Sequence, residues 1–219
     1  MKQETLRRHF HEALESAGLV AILRGIEPDE VVDVGGVLYE AGFRIIEVPL
    51  NSPQPLRSIE RLAASLPADT LVGAGTVLAA RQVGEVLSAG GRLVVMPHSD
   101  NGIIRAAIDA GMAVLPGVAT PTEAFAALGA GAIALKAFPA ELLTPTVLKA
   151  WRAVLPADVP LVPVGGITPD NMQAYLDVGA AGFGLGSALY RAGDTAAAVR
   201  PRAQAFMARW RQATARSTG

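Results

Sequence analysis

Apolar residues along this chain come in short runs at a regular interval, and a segment with helical spacing separates each run from the next. Runs of this length that are rich in Val, Ile and Leu predict buried strands of a parallel sheet. Their starts lie roughly 20–28 residues apart, which is the scale of a strand–helix unit. The eight runs cover residues 19–23, 44–50, 70–75, 92–96, 112–117, 132–136, 160–166 and 181–186.

The segments between the runs carry helix start and stop signals. Ser52 and Thr168 are each followed by a proline, and both predict N-caps whose side-chain oxygen accepts a backbone N–H. Glycine predicts the helix ends, because it readily adopts the left-handed conformation that closes a helix. The glycines at these ends are Gly42, Gly90, Gly111, Gly131 and Gly179.

Eight strands that alternate with helices predict an α/β fold, a (β/α)8 TIM barrel formed by one domain over residues 1–219. The segment 2–17 has helical spacing and predicts an extra N-terminal helix at the bottom of the barrel. A doubly wound open sheet is the alternative. Eight regular strand–helix units in a chain of this length favour a sheet that closes into a barrel over an open sheet.

Composition narrows the function classes. The 219 residues are 51% hydrophobic with a formal net charge of −1, which argues against disorder and against a nucleic-acid partner. There is no cysteine, so disulfides and thiolate chemistry are excluded. The amino-terminal segment lacks the apolar core of a signal peptide, and the apolar runs are too short to span a bilayer. We therefore expect a cytoplasmic protein with no membrane partner.

Two charged residues stand in or at the end of apolar runs. Catalytic groups of such barrels lie at the carboxyl ends of the strands, and Lys136 and Glu47 occupy such positions on strands six and two. Lys136 is a lysine whose ammonium reaches solvent, a member of a buried ion pair, or an amine nucleophile that burial keeps uncharged. Glu47 is either an ion-pair partner of an arginine or a general acid/base.

Glycine-rich loops follow strands seven and eight, where barrels often bind phosphate. Glycine lets backbone N–H groups approach phosphate oxygens, and we expect a following helix N-terminus to add a favourable dipole. The loop residues are Gly165, Gly166, Gly186 and Ser187. Gly-rich turns are also common without any ligand.

Other strand ends offer binding groups. Arg24, after strand one, is either an ordinary ion-pairing residue or a carboxylate clamp, and Thr76 is either a turn residue or a carboxylate ligand. The histidines do not suggest a metal site, since His9 and His11 are two apart in a helix and His98 stands alone. We therefore predict no metal.

Several motifs together resemble a known family. The ordered set "EVPLNSP", "GAGTV", "ALKAFPAE", "PVGGITPDN" and "GLGSALY" is similar to the bacterial 2-keto-3-deoxy-6-phospho-sugar-acid aldolases, which are class I, Schiff-base enzymes. The resemblance runs from about residue 19 to the C-terminal helix. The phosphogluconate branch of that family typically has Arg-Thr after Glu-x-x-Leu and Thr before the strand-seven Gly-Gly. Asn51-Ser52, Val164 and Arg24 instead resemble the phosphogalactonate branch.

The resemblance implies roles for individual residues. Lys136 would form the Schiff base and Glu47 would move protons; Arg24 and Thr76 would hold the substrate carboxylate. The 6-phosphate would lie on Gly165, Gly166, Gly186 and Ser187. Pro97 would shape the mouth of the barrel. Val164 would affect which hydroxyl configuration at C4 of the substrate is accepted. Phe138 is either a neighbour of the imine or a core aromatic.

The resemblance also implies a phosphorylated sugar-acid substrate, no cofactor and a homotrimer. Three alternatives stay open. They are an aldolase for the phosphogluconate-derived substrate or 4-hydroxy-2-oxoglutarate, a phosphosugar isomerase or epimerase, and a non-catalytic phosphate-ligand sensor.

Overall fold

Parallel strands and helices alternate along the chain in the structure, a computed structural model that describes residues 2–215. The strands are β1 (Leu19–Ile22), β2 (Ile45–Pro49), β3 (Leu71–Gly75), β4 (Leu93–Val95), β5 (Ala113–Leu115), β6 (Gly117–Val118), β7 (Leu135–Ala137), β8 (Leu161–Pro163) and β9 (Phe183–Leu185). The helices are α1 (Lys2–Ala17), α2 (Val31–Ala41), α3 (Pro55–Ser65), α4 (Ala80–Ser88), α5 (Asn101–Asp109), α6 (Pro121–Gly129), α7 (Pro145–Arg152), α8 (Met172–Leu176) and α9 (Ala196–Ala215). The predicted α/β class is confirmed.

The strands form a curved parallel sheet in two hydrogen-bonded parts. Six strands follow the order β5-β4-β3-β2-β1-β9, and three follow the order β6-β7-β8. A single parallel bridge, from Val164 to Gly184, links the end of β8 to β9. Because all strands run the same way, their carboxyl ends lie at one edge, and the helices pack on the outer face.

The segment 112–117 differs from its prediction as one strand. It forms two short strands, β5 and β6, on either side of Pro116. Proline has no backbone N–H and cannot donate to a strand ladder. β5 pairs with β4 and β6 pairs with β7, so the two halves belong to different parts of the sheet.

Helix α1 packs against the strands through its apolar residues. Its apolar residues Phe10, Ala13 and Leu14 join the strand residues Val20 and Ile45 in one buried cluster. A larger cluster fills the space between the strands and the surrounding helices. Phe10 is fully buried, which explains why polar and apolar residues alternate at helical spacing in this segment.

The predicted glycine ends are confirmed, but two predicted N-caps are wrong. All five glycines have positive φ, from 70° at Gly111 to 121° at Gly42. Helix α3 begins only at Pro55, because the Ser52 hydroxyl is buried and accepts the N–H of Gly25 at 2.9 Å instead. Helix α8 begins at Met172, because Thr168 donates its N–H to the Asn171 side chain at 3.0 Å.

None of the helices between residues 2 and 215 combines the length and the apolar character needed to cross a membrane.

Candidate functional site

A cavity of about 390 Å³ opens at the carboxyl edge of the sheet. The structure brings together all eleven predicted site residues around it, although they come from seven different strands and the residues that follow them. They are Arg24, Glu47, Thr76, Pro97, Lys136, Phe138, Val164, Gly165, Gly166, Gly186 and Ser187. A constellation drawn from distant parts of the chain is the usual arrangement of a site on a parallel sheet.

Lys136 is buried at the base of this cavity. It lies in the middle of β7, and its residue is 7% exposed. Its Nζ is 4.6 Å from the centre of the Phe138 ring. Burial lowers the pKa of the Lys136 amine, and the nearby positive charge of Arg24 lowers it further, while Glu47 opposes both effects. The uncharged amine is therefore easier to form here than in water.

Glu47 faces the same cavity from β2 and is 2% exposed. Burial raises the pKa of its carboxyl from 4.5 to about 7, although Lys136, Arg24 and the backbone N–H of Gly75 act in the opposite direction. One oxygen, Oε2, has no hydrogen-bond partner among the described residues. A group with a pKa near 7 can both donate and accept a proton at neutral pH.

Gly75 creates the space for this carboxyl. A Cβ at Gly75 would lie 2.0 Å from Glu47 Oε2, well inside van der Waals contact. The Glu47 carboxyl on β2 can therefore occupy its position only because Gly75, at the end of β3, has no side chain.

Arg24 is held over the mouth by two side chains. Its Nη1 donates to Asn51 Oδ1 at 2.7 Å, and its Nη2 donates to Thr76 Oγ1 at 3.4 Å. Thr76 has φ of 54°, a left-handed conformation that is rare for a β-branched residue. A guanidinium with exposed N–H groups beside a hydroxyl is suited to binding a carboxylate.

The glycine-rich loops lie at the other side of the cavity. Gly165 and Gly166 have φ of 109° and 63°, a conformation that favours glycine. The Asn171 side chain stabilises this turn by donating to the Gly166 carbonyl at 2.8 Å. Arg191, after the second loop, donates from Nε to the Ser187 carbonyl at 3.2 Å.

The predicted help from a helix N-terminus stays a prediction for both loops, and neither loop is followed directly by a long helix. The turn closed by Asn171 delays α8 to Met172, and that helix has five residues. After the second loop, α9 begins only at Ala196. An anion at these loops would therefore meet turn backbone and the Arg191 side chain rather than the end of a long helix.

Three further residues shape the cavity and were missed as site residues by sequence reasoning. Arg191 and Glu141 line it, and a Cβ at Gly165 would lie 2.2 Å from Glu141 Oε2. Asn51 contacts Arg24. Each stands shortly after a strand, and that position is the signal that could have identified them.

Side chains that could share a metal ion are not grouped in the described part of the chain: no three or more His, Cys, Asp or Glu residues are suitably placed there.

Known proteins are similar to this chain in both sequence and fold. The family model "Aldolase: KDPG and KHG aldolase" matches residues 10–199. The "Probable 2-dehydro-3-deoxy-6-phosphogalactonate aldolase" of Rhizobium meliloti (strain 1021) is 50% identical over 190 residues, or 87% of this chain and 90% of that protein. The "2-dehydro-3-deoxy-6-phosphogalactonate aldolase" of Escherichia coli (strain K12) is 47% identical over 195 residues, or 89% and 95% of the two chains. A solved structure called "Native KDPGal structure" superimposes with a TM-score of 0.88 at 47% identity, over 90% of this chain and 96% of that one. This chain therefore belongs to the KDPG and KHG aldolase family, as its motifs predicted.

Proposed function

We propose that this chain is a class I aldolase that cleaves 2-dehydro-3-deoxy-6-phospho-D-galactonate to pyruvate and D-glyceraldehyde 3-phosphate. The observation that carries the proposal is the pairing of Lys136 and Glu47, both buried in one cavity, with the pKa of the amine lowered and that of the carboxyl raised. The phosphogalactonate aldolases that share about half of its residues support the same substrate.

Lys136 is the nucleophile of this mechanism. Its neutral amine attacks the C2 carbonyl of the substrate, and loss of water gives a protonated imine. The imine withdraws the electron pair of the C3–C4 bond when that bond breaks. The first step of the reaction needs the neutral amine. Burial among apolar residues and the nearby charge of Arg24 both favour this form of Lys136.

Glu47 moves the protons. As a carboxylate it takes the proton of the C4 hydroxyl, directly or through a water, and the C3–C4 bond breaks to release D-glyceraldehyde 3-phosphate and leave an enamine. Glu47 then returns a proton to C3 of the enamine, and hydrolysis of the imine releases pyruvate and regenerates Lys136. A pKa of about 7 suits both directions of transfer.

The two ends of the substrate meet opposite sides of the cavity. Arg24 and Thr76 bind the carboxylate next to the imine, and the Gly165–Gly166 and Gly186–Ser187 loops bind the 6-phosphate with Arg191 nearby. Phe138 packs beside the amine, Pro97 forms part of the wall, and Val164 offers a methyl surface rather than a hydroxyl to the substrate.

Reductive trapping tests the Schiff base. Pyruvate with borohydride is expected to attach a stable adduct to Lys136, located by peptide mass spectrometry. Lys136→Ala should abolish the adduct, whereas Lys149→Ala, which changes an exposed lysine on α7, should retain it. Turnover is expected to persist in EDTA. A wild-type protein that turns over substrate without any trapped adduct would refute the mechanism and favour an isomerase or a metal-dependent aldolase.

The substrate itself is tested with the two C4 epimers. We expect a higher kcat/KM for the phosphogalactonate-derived compound than for 2-dehydro-3-deoxy-6-phosphogluconate. The reverse preference would assign the chain to the phosphogluconate-cleaving or 4-hydroxy-2-oxoglutarate-cleaving members of the family.

Since Pro116 alone separates β5 from β6, and a bridge links Val164 to Gly184, we infer a closed (β/α)8 barrel with α1 at its bottom, formed by one domain.

We also infer a cytoplasmic homotrimer. Leu142 and Phe125 are 74% and 49% exposed and provide apolar surface for subunit contacts. Size-exclusion chromatography with light scattering tests this, and a monomer would contradict it.

A further inference from the structure

Two hydrogen bonds join the segments that follow β1 and β2. The Arg24 guanidinium donates to Asn51 Oδ1 at 2.7 Å, and the Gly25 backbone N–H donates to Ser52 Oγ at 2.9 Å. Consecutive residues of one segment therefore bind consecutive residues of the other. The first bond orients the side chain of Arg24, and the second fixes the backbone beside it.

The backbone at Arg24 is constrained on a further side. Gly25 has φ of 81°, and a Cβ there would lie 2.9 Å from the Cβ of Ala192. The Ser52 hydroxyl that accepts the Gly25 N–H is buried, so the anchor is shielded from water. The backbone from which the Arg24 side chain extends is therefore held in one position.

The side chain of Arg24 needs a separate anchor, because it is exposed and a long exposed side chain samples many rotamers. Asn51 supplies it at hydrogen-bond distance, while Thr76 at 3.4 Å is a weaker contact. The acceptor is a neutral amide oxygen, so the guanidinium keeps its full charge for a ligand. The remaining N–H groups of Arg24 stay available at the cavity.

We propose that Asn51 is a positioning residue that selects for a carboxylate next to the reacting carbonyl, by holding Arg24 in the orientation that binds it. This inference rests on the proposed function. Asn51 acts through Arg24 and does not itself contact the reacting atoms. The charge of Arg24 also lowers the pKa of both Glu47 and Lys136, so its placement bears on the whole cavity.

The experiment compares two trapping reagents that differ in one charge. Pyruvate carries the carboxylate, and methyl pyruvate presents the same keto carbon next to a neutral ester. The rate of borohydride-dependent adduct formation on Lys136 is measured for each reagent by mass spectrometry, and the ratio of the two rates reports carboxylate recognition. The variants are Asn51→Ala, Asn51→Asp, Arg24→Ala and the double variant Arg24→Ala/Asn51→Ala.

We expect Asn51→Ala to lower the pyruvate-to-methyl-pyruvate ratio by roughly tenfold, since a charge-assisted hydrogen bond is lost. Asn51→Asp should lower it at least as far, because its carboxylate competes for the guanidinium. In the Arg24→Ala background, Asn51→Ala should change the ratio by less than about twofold, because residues that act through one another are not additive.

Asn101→Ala provides the matched control, since Asn101 is an exposed asparagine at the start of α5, away from the cavity lining. Its ratio should equal that of the wild type. A wild-type protein that traps neither reagent overturns the proposed function. If the wild type traps both reagents, two results overturn the role of Asn51 alone. One is a pyruvate-to-methyl-pyruvate ratio in Asn51→Ala that equals that of the wild type. The other is a ratio in the double variant that falls below that of Arg24→Ala by as much as Asn51→Ala lowers the wild-type ratio.

Discussion

The buried carboxyl of Glu47 makes the stability of this protein depend on pH in a way that one substitution removes. Burial raises its pKa from 4.5 to about 7 in the folded chain. Between these two pH values the unfolded chain has released the proton while the folded chain retains it, so raising the pH favours unfolding. The effect is about 1.4 kcal/mol for each pH unit, or about 3 kcal/mol across this window.

Glu47→Gln replaces the carboxyl with an amide of similar shape that does not titrate. We therefore expect the free energy of unfolding of the variant, relative to the wild type, to rise by about 3 kcal/mol between pH 4.5 and pH 7.

Denaturant unfolding at a series of pH values measures this difference. Trp151 and Trp210 are 5% and 6% exposed, so their fluorescence reports the loss of the core. The matched control is Glu60→Gln, which changes an exposed carboxyl on α3 and should show no such trend. If the difference between Glu47→Gln and the wild type stays constant across the window, the carboxyl is not held protonated by burial and the reasoning is wrong.

Three other predictions concern catalysis. The kcat/KM for cleavage should rise with pH through a limb near pH 7 as the Glu47 carboxylate forms, and a profile flat from pH 5 to 8 would contradict its role. Gly75→Ala should lower kcat by roughly a hundredfold, because its Cβ would displace the Glu47 carboxyl, while Gly84→Ala, whose Cβ meets nothing within 4 Å, should not. Val164→Thr should shift the kcat/KM ratio of the two C4 epimers towards the phosphogluconate-derived one by up to roughly tenfold, and an unchanged ratio would remove Val164 from discrimination.

Periodicity was sufficient to predict which residues meet at one cavity. Apolar runs located the strands within a few residues, and the rule that functional groups follow the strands then identified Lys136 and Glu47. The rule works because parallel strands bring their carboxyl ends to one edge whatever lies between them in the chain. The motif resemblance supplied the substrate class, which the residues alone left open.

Local competition for hydrogen bonds was not predictable in the same way. Ser52 has the sequence context of an N-cap, yet its hydroxyl binds the Gly25 N–H from a segment distant in the chain. Thr168 loses its expected cap position because Asn171 closes the turn first. Pro116 splits a strand that its apolar neighbours predicted to be continuous. Each outcome depends on which partner the tertiary structure brings near, and the local sequence context does not show which partner that is.

At Thr76 the backbone conformation favours glycine, whereas the contact with Arg24 needs a side-chain hydroxyl. Its left-handed backbone, at φ of 54°, costs roughly 1–3 kcal/mol for a β-branched residue. Glycine would adopt the same conformation without strain, but it would lack the hydroxyl that contacts Arg24. Selection for heat resistance alone is therefore expected to favour Thr76→Gly, and selection for growth on the substrate is expected to restore threonine. Under the proposed function, the strain at Thr76 measures how much stability the protein gives up for a side chain that binds the substrate carboxylate.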